Sequence, residues 1–261
     1  MVYCLKLVVI GVVTVPAVIV TFLIGLFDPH GKQVYQIGRF WSWLILRIGG
    51  VSVKIHGLSD LDPKRQYVFI VNHQSNIDIP VLIQSLPAFQ LRWIAKKELL
   101  WVPLFGWAMW ASKHIAVDRS NRFHALEGLK RARKHMKAGI SLVVFPEGTR
   151  STDGKLLPFK RGGFLLAAKT QTPIVPVTIN GSGPILPKGD WRIRGGQIEV
   201  RVGEPLFIEN YRPGSLRGLS ARVQELIGKN LRPAFEFASE KKQQQPEPLG
   251  AAKSPIEKRT V

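Results

Sequence analysis

Residues 67–82, YVFIVNHQSNIDIPVL, contain the clearest indication of how this chain folds. It opens with five apolar residues that are mostly β-branched or aromatic, a composition typical of a buried strand. Polar residues follow from Asn72 to Asp78, and Pro80 fits the first turn of a helix. A strand that leads through a loop into a helix is the repeating unit of an α/β fold, in which ligands bind where the strands end.

The same alternation continues on both sides of this stretch. Short apolar runs predict seven strands, over residues 51–55, 67–71, 91–95, 114–117, 141–145, 174–179 and 197–202. Longer periodic segments between several of them predict helices. The clearest helix begins after Ser120 as its N-cap and ends before Gly139, with one apolar face and one face of six Lys and Arg residues. That basic face is either an ordinary solvated surface or a contact with an anionic one.

The composition limits the class of protein. The chain has 261 residues, of which 45% are hydrophobic, and 37 Lys and Arg against 18 Asp and Glu give a formal net charge of +19. This is enough apolar material for a buried core, so wholesale disorder is excluded. The single cysteine, Cys4, cannot form an internal disulfide, and no Cys/His cluster has zinc-ligand spacing. The positive charge requires a negative partner, which phosphate groups, nucleic acid and anionic lipid all provide.

The N-terminal segment predicts a membrane anchor. Residues 7–27, LVVIGVVTVPAVIVTFLIGLF, carry no charge, and as a helix they span about 30 Å, the thickness of the hydrocarbon core of a bilayer. Pro16 leaves open both a helix that crosses and a kinked helix that dips into one leaflet. Residues 40–48, FWSWLILRI, combine tryptophans with arginine, as segments at the headgroup level do. We therefore predict residues 1–50 to be a helical anchor.

Two further regions complete the predicted organisation. A folded domain is expected over residues 51–238, and residues 239–261, which lack aromatic residues and periodicity, are expected to be a disordered tail. Four of the seven tryptophans lie between Trp93 and Trp110. Apolar surface this dense belongs either to the core or to a lipid contact, such as the wall of an acyl tunnel.

His73 and Asp78 form the first candidate site. In a continuous helix the two side chains would point about 140° apart, whereas a loop that enters a helix brings them together. Asp78 can then accept from one imidazole nitrogen and fix the tautomer, while the other nitrogen removes a proton from a hydroxyl. The pair is a candidate general base with its orienting carboxylate. The alternative is that Asp78 only caps the helix.

A second cluster, FPEGTRS at residues 145–151, also follows a predicted strand directly. Gly148 allows close approach of the backbone to a ligand, Arg150 offers a planar fork for phosphate oxygens, and Glu147 can accept from a hydroxyl. The alternative is a tight turn closed by an ion pair between Glu147 and Arg150. No GxSxG nucleophile and no nucleotide-binding glycine loop occur in the sequence, so the nucleophile is expected to be a hydroxyl of the substrate.

Four blocks taken together resemble the 1-acylglycerol-3-phosphate acyltransferase (lysophosphatidic acid acyltransferase) family. They are NHQSNID, FPEGTRS, LPFKRGGF and PIVPVTI, in this order within residues 51–204. The resemblance implies a glycerolipid acyltransferase-like α/β fold, with a mixed sheet flanked by helices behind an N-terminal membrane anchor. It implies transfer of a fatty acyl group from acyl-coenzyme A or acyl-carrier protein to the 2-hydroxyl of 1-acylglycerol-3-phosphate, which gives phosphatidic acid in phospholipid biosynthesis. No metal and no bound cofactor are expected.

The resemblance also implies roles for single residues. His73 and Asp78 of the HxxxxD motif are similar to the base and its orienter, and the FPEGTR block to the part that binds the acceptor. The acceptor-binding residues it implies are Lys96, Arg119, Glu147, Gly148, Thr149 and Arg150. Lys97 is the alternative to Lys96. Residues 111–113 stand where the family usually has a glycine. Arg119 lies in the same block, so this departure weakens the match from which its role is implied.

Other functions remain open at this point. Another lyso-lipid, such as a lyso-ornithine lipid, is an alternative acceptor, and a noncatalytic membrane-binding protein would use only the anchor and the charge. Membrane phospholipids are the expected partners, whereas no nucleic-acid module is recognisable. The many Lys and Arg after residues 7–27 favour a catalytic domain on the cytoplasmic face, and a bacterial inner membrane is the expected location.

Overall fold

In the computed structural model of the chain, residues 1–117, 122–210 and 216–232 are described. The strands are β1 Val51–His56, β2 Val68–Val71, β3 Leu91–Lys96, β4 Ile115–Val117, β5 Ser141–Val144, β6 Ile174–Asn180 and β7 Gly196–Val202. The α-helices are α1 Val2–Phe27, α2 Lys32–Gly49, α3 Asp78–Ser85, α4 Phe105–Ala111, α5 Arg122–Lys137, α6 Gly162–Thr170, α7 Ser182–Ile185 and α8 Leu216–Asn230. Short 3₁₀ helices cover Leu58–Asp60, Lys97–Trp101 and Ile208–Asn210. Each of the seven predicted strands is present, with ends within one residue of the prediction.

The strands form one mixed sheet in the order β1-β7-β6-β2-β5-β3-β4. From β6 to β4 all neighbours are parallel, whereas β7 runs antiparallel to β6 and β1 is parallel to β7. The predicted mixed α/β sheet is therefore confirmed. Because β2, β3, β4, β5 and β6 share one direction, the loops that follow them all leave the same edge of the sheet.

The core has two layers, one on each face of the sheet. All residues of β2 and β6 are buried, as expected for central parallel strands covered on both sides. Successive residues of β2 alternate between the layers: Phe69 and Val71 pack in one, Val68 and Ile70 in the other. Buried side chains of α2 and α3 belong to the first layer, and those of α5, α6 and α8 to the second.

Helix α1 lies along the domain. Near its start, the Lys6 Nζ donates to the Gly49 carbonyl over 2.9 Å, and in its middle the Trp41 Nε1 donates to the Thr14 hydroxyl over 3.0 Å. Near its end, Gly25 packs so closely on Ala111 that a Cβ at position 25 would be 2.7 Å from the Ala111 Cβ. Most of its apolar side chains are nevertheless exposed. Among the described helices, α1 is the one long and apolar enough to cross a membrane.

Several sequence expectations are refined by the structure. The basic helix α5 ends at Lys137 and is followed by Gly139 with φ +81°, as predicted for its C-terminus, whereas Ser120 lies outside the described residues. The segment 40–48 is part of the longer helix α2, whose first N–H groups are bound by Asp28: Oδ2 accepts from the backbone N–H groups of Gln33 over 2.7 Å and Val34 over 3.1 Å. The predicted tail, residues 239–261, also lies outside the described residues.

Candidate active site

The sheet brings the sequence blocks together at one edge. The loop with His73 follows β2, and the loop with Glu147 and Arg150 follows β5, which is hydrogen-bonded to β2. Lys96 ends β3, the strand on the other side of β5. Blocks that are far apart in sequence therefore leave three neighbouring strands at the same edge, where open α/β sheets bind ligands.

His73 and Asp78 are in direct contact. The Asp78 Oδ2 lies 2.8 Å from the His73 Nδ1 and also accepts from the backbone N–H groups of Gln74 and Ser75, each over 2.9 Å. Asp78 is fully buried, while the His73 side chain is 15% exposed. Because a carboxylate only accepts hydrogen bonds, the contact places a proton on Nδ1 and leaves Nε2 as the basic nitrogen.

Asp78 does not cap the helix as the alternative interpretation proposed. Helix α3 begins at Asp78 itself, its N-cap is Ile77, and no side-chain cap bond is formed. The carboxylate instead turns back into the loop and binds His73 and two loop N–H groups. Pro80 lies in the first turn, as predicted.

Phe145 stacks on the His73 imidazole. The two ring centroids are 3.9 Å apart and the planes are inclined by 13°. Together with the bond to Asp78, this contact limits both the tilt and the rotation of the imidazole. This role of Phe145 was not predicted from the sequence, although its position as the first residue of the FPEGTRS block was the available signal.

Glu147 joins the two loops. It is 3% exposed, and its Oε1 accepts from the His73 backbone N–H over 2.8 Å while its Oε2 accepts from the Leu157 N–H over 2.9 Å. The Ser151 N–H donates in turn to the His73 carbonyl over 2.8 Å, so both backbone polar groups of His73 are held by the second loop. Burial raises the pKa of the Glu147 carboxyl, and the hydrogen bonds from Leu157 and His73 oppose that rise. The predicted contact of Glu147 with the acceptor stays a prediction, whereas its bonds here make it the connection between the loops.

The remaining side of the His73 loop is fixed to β6. The Asn72 side chain donates to the Ile179 carbonyl over 2.9 Å and accepts from the Ile179 N–H over 2.7 Å. The Ser75 hydroxyl donates to the Leu186 carbonyl over 2.7 Å. The loop that carries the base is therefore braced from both neighbouring strands, which is the preorganisation that proton transfer needs.

Cationic side chains surround this edge. Arg150 is half-buried and Lys96 is exposed. Within the described part of the chain no salt bridge links Arg150 to Glu147, so the alternative interpretation, a turn closed by that ion pair, is not formed. Gly148 has φ +72°, a left-handed conformation that favours glycine. Thr149 is exposed, and its hydroxyl lies 3.4 Å from the Nζ of Lys188, a cation that the sequence analysis missed. Arg119 lies outside the described residues.

The arrangement can perform general-base chemistry on a hydroxyl next to a phosphate. It has an oriented imidazole with a free basic nitrogen, and cations on the adjoining loops that suit an anionic substrate. Within residues 1–117, 122–210 and 216–232, no group of three or more His, Cys, Asp and Glu side chains is placed to hold a metal ion.

The comparison with protein families agrees with this geometry. A family model described as "Acyltransferase" matches residues 52–180, which include both loops and the strands that carry them. Fold and site thus define an acyltransferase. A solved structure, the 1-acyl-sn-glycerophosphate (LPA) acyltransferase PlsC from Thermotoga maritima, has the same fold, with a TM-score of 0.71 and 23% identity over 94% of this chain and 98% of that chain.

Relatives of higher identity specify the family. The 1-acyl-sn-glycerol-3-phosphate acyltransferase alpha of Ovis aries is 35% identical over 198 residues, which are 75% of this chain and 69% of that protein. The enzyme of the same general name from Limnanthes douglasii is 32% identical over 234 residues, 87% of this chain and 82% of that protein. The chain belongs to the 1-acyl-sn-glycerol-3-phosphate acyltransferase family.

Proposed function

We propose that this enzyme transfers a fatty acyl group from an acyl thioester to the 2-hydroxyl of 1-acylglycerol-3-phosphate and so forms phosphatidic acid. The observation that carries the proposal is the contact of 2.8 Å between the His73 Nδ1 and the Asp78 Oδ2, at a sheet edge that also presents Arg150 and Lys96. The names of its relatives supply the substrate. Coenzyme A and acyl-carrier protein are both proposed as carriers of the donor acyl group.

In the proposed mechanism His73 acts first as base and then as acid. Its Nε2 removes the proton of the 2-hydroxyl while the hydroxyl oxygen attacks the thioester carbonyl carbon. The tetrahedral intermediate then collapses, the carbon–sulfur bond breaks, and the imidazolium returns the proton to the leaving thiolate. The Asp78 carboxylate stabilises the imidazolium between the two steps.

The acceptor phosphate is proposed to bind to the cations of the neighbouring loops. Arg150 can hold two phosphate oxygens with its planar guanidinium, while Lys96 and Lys188 act as point charges. The base lies at the carboxyl end of β2, and the cations lie at the ends of β5 and β3. In one small headgroup, the hydroxyl would thus meet the base while the phosphate binds the cations. A zwitterionic acceptor such as a lyso-ornithine lipid would depend less on these cations.

Membrane association follows from α1. Its contacts with the domain at both ends and in its middle, together with its exposed apolar side chains, favour a helix that lies in one leaflet rather than across the bilayer. We propose that the catalytic domain lies on the cytoplasmic face of the membrane, in bacteria the inner membrane, because acyl thioesters are available there.

The test is labelled acyl transfer to 1-acylglycerol-3-phosphate by purified wild type and His73→Ala, with each thioester donor in turn. General-base catalysis contributes about 10²- to 10⁴-fold in rate, so His73→Ala should lose at least that factor. His56→Ala, which removes an exposed histidine of the same sheet, is the matched control and should keep full activity.

Two results would contradict the proposal. One is a His73→Ala variant with near-normal turnover. The other is a wild type that acylates lyso-ornithine lipid but not 1-acylglycerol-3-phosphate, with activity insensitive to Arg150→Gln.

A further inference from the structure

A cavity of about 490 Å³ lies at the edge of the sheet opposite to His73. His114, directly before β4, and Ile140, directly before β5, line it, so it is at the amino ends of the parallel strands whose carboxyl ends form the candidate active site. The C-terminal turns of α5 form a second wall, and Pro29 and His30, which follow α1, form a third. The cavity is thus separate from the catalytic edge, and the proposed reaction does not use it.

The walls of the cavity are strongly cationic. Lys113, Arg131, Lys134 and Lys137 line it, and no Asp or Glu is among the described residues that do so. Arg131, Lys134 and Lys137 are exposed and form no salt bridge within the described part of the chain. Within the described residues, the charges of these three side chains are therefore not paired with a carboxylate.

Helix α8 shows what an ordinary solvated basic face looks like in the same protein. There Glu225 pairs with both Arg222, over 2.9 Å, and Lys229, over 2.7 Å. The basic face of α5 was interpreted either as a solvated surface or as a contact with an anionic surface. The contrast with α8 favours the contact.

A buried cation adds to this field. Arg92 is fully buried, and its guanidinium is held by the carbonyl groups of Leu91, His30 and Gly31 over 2.7–2.9 Å, with no salt bridge to a described carboxylate. Burial and then the charge of Arg92 lower the pKa of the cavity residues His114, to about 3, and His135, to about 4. Both imidazoles are therefore neutral near pH 7 and add no charge to the cavity. The His114 Nδ1 accepts from the Trp93 N–H over 3.4 Å, so its Nε2–H remains as a donor for an anion.

One wall of the cavity continues into the exposed apolar surface. Trp110 lines the cavity, packs on Phe22 of α1 with ring centroids 5.7 Å apart, and holds the Lys113 Nζ 4.5 Å from its ring centroid. Next to it on the surface, Trp107 is 50% exposed and Trp101 is 80% exposed. Tryptophan beside lysine and arginine is the composition favoured at the boundary between acyl chains and headgroups of a bilayer.

We propose that this cavity binds the phosphate headgroup of an anionic membrane phospholipid, whose acyl chains lie against the apolar surface of α1 and α4. The inference rests on the membrane association given under the proposed function, but not on the identity of the acceptor. The basic side chains match a phosphodiester, the volume suits a small polar headgroup, and the tryptophans extend to where its chains would lie. The bound lipid would hold the catalytic domain at the surface from which the acceptor is drawn.

The experiment compares binding of the full chain to vesicles of phosphatidylcholine with binding to vesicles that also contain 30 mol% phosphatidylglycerol, at matched salt. The test variant is Arg131→Gln/Lys134→Gln/Lys137→Gln. The control variant, Lys54→Gln/Lys64→Gln/Lys169→Gln, removes the same charge from exposed lysines outside the cavity and the active site. Each basic side chain near an anionic surface contributes about fivefold, so the test variant should lose about 100-fold of the preference for anionic vesicles. The control variant should lose much less.

A second variant separates a defined site from diffuse attraction. Ala138→Leu fills the cavity without changing charge, and it should also weaken the preference for anionic vesicles. Soluble dihexanoyl-phosphatidylglycerol should bind the wild type more tightly than inorganic phosphate does. Equal losses in the test and control triple variants, or tighter binding of inorganic phosphate, would overturn the proposal.

The activity assay distinguishes this proposal from the proposed function. In detergent micelles that contain no anionic lipid apart from the acceptor, the test variant should acylate 1-acylglycerol-3-phosphate at the wild-type rate. A raised KM for acyl-coenzyme A in micelles with unchanged vesicle binding would instead show a nucleotide site and refute the lipid site. Absence of acyl transfer by the wild type would refute the proposed function and leave the vesicle result to decide on the cavity.

Discussion

Asp78→Asn separates the charge of the orienting carboxylate from its hydrogen bonds. One oxygen, Oδ2, accepts all three bonds, from the His73 Nδ1 over 2.8 Å and from the backbone N–H groups of Gln74 and Ser75 over 2.9 Å each. The amide oxygen of asparagine can occupy the same place. The reversed amide is excluded because its NH₂ group would face two fixed N–H donors. The variant should therefore keep the imidazole tautomer and lose only the negative charge.

The size of the effect follows from that charge. Two unit charges about 4 Å apart attract by about 4 kcal/mol at an effective dielectric constant of about 20. Because the proton is only partly transferred in the transition state, we expect a loss of about 2–4 kcal/mol, which is about 30- to 1,000-fold in kcat. The new NH₂ group takes the place of Oδ1, which is buried and has no partner among the described residues. This should cost about 1–3 kcal/mol of stability.

The assay is kcat and KM for acyl transfer together with thermal unfolding, with Asp78→Ala as the comparison. Alanine leaves the N–H groups of Gln74 and Ser75 without their acceptor, at about 1–3 kcal/mol each, so it should unfold at a lower temperature than the asparagine variant. Near-normal kcat in Asp78→Asn would show that the charge is not needed. If a folded Asp78→Asn variant is as inactive as His73→Ala, the imidazole tautomer has been lost. That result would contradict the expectation that the asparagine oxygen accepts the same three hydrogen bonds.

Three further substitutions test the support around the base. Glu147→Gln places an NH₂ group against a backbone N–H and should lower the free energy of unfolding by about 1–3 kcal/mol. It should also change kcat more than it changes KM. An unchanged melting temperature would contradict the role of Glu147 as the connection between the loops. Phe145→Leu removes the ring stacked on the imidazole and should reduce kcat about 2- to 10-fold, whereas Phe145→Tyr keeps it, as initial rates would show. Gly148→Ala forces a side chain into φ +72° and should cost about 1–2 kcal/mol in thermal unfolding. Gly162→Ala, in a helix with open space around it, is its control and should cost nothing.

Much of the fold followed from local patterns. All seven strands were placed within one residue because buried parallel strands are short apolar runs bounded by polar loops, a signal that needs no long-range information. The contact between His73 and Asp78 was predictable for a related reason. The two residues are five positions apart, and a loop that leads into a helix can bring their side chains together. The local pattern left open whether Asp78 orients His73 or only caps the helix, and the structure shows no side-chain cap bond at the start of α3.

The partners of Glu147 and Phe145 were not predictable in the same way. Glu147 binds the backbone of His73, 74 residues earlier in the chain, and the ring of Phe145 lies on a residue 72 positions before it. A carboxylate next to Arg150 suggested an ion pair, but burial between two loops gave it backbone N–H groups to bind instead. Which partner a polar group finds depends on which loops the sheet order makes neighbours.

The strands, the loop that carries the base, the apolar N-terminal helix and the family could therefore all be predicted from the sequence. Each of these depends on the order of residues within a short segment, or on motifs that stand in a fixed order. Three features depend on the packing of the whole chain: α1 lies along the domain, β2, β5 and β3 bring the site together, and the basic face of α5 meets Trp110 of α4 in a cavity. These contacts join segments distant in sequence, and the packing of the sheet and helices, rather than any local pattern, brings them together.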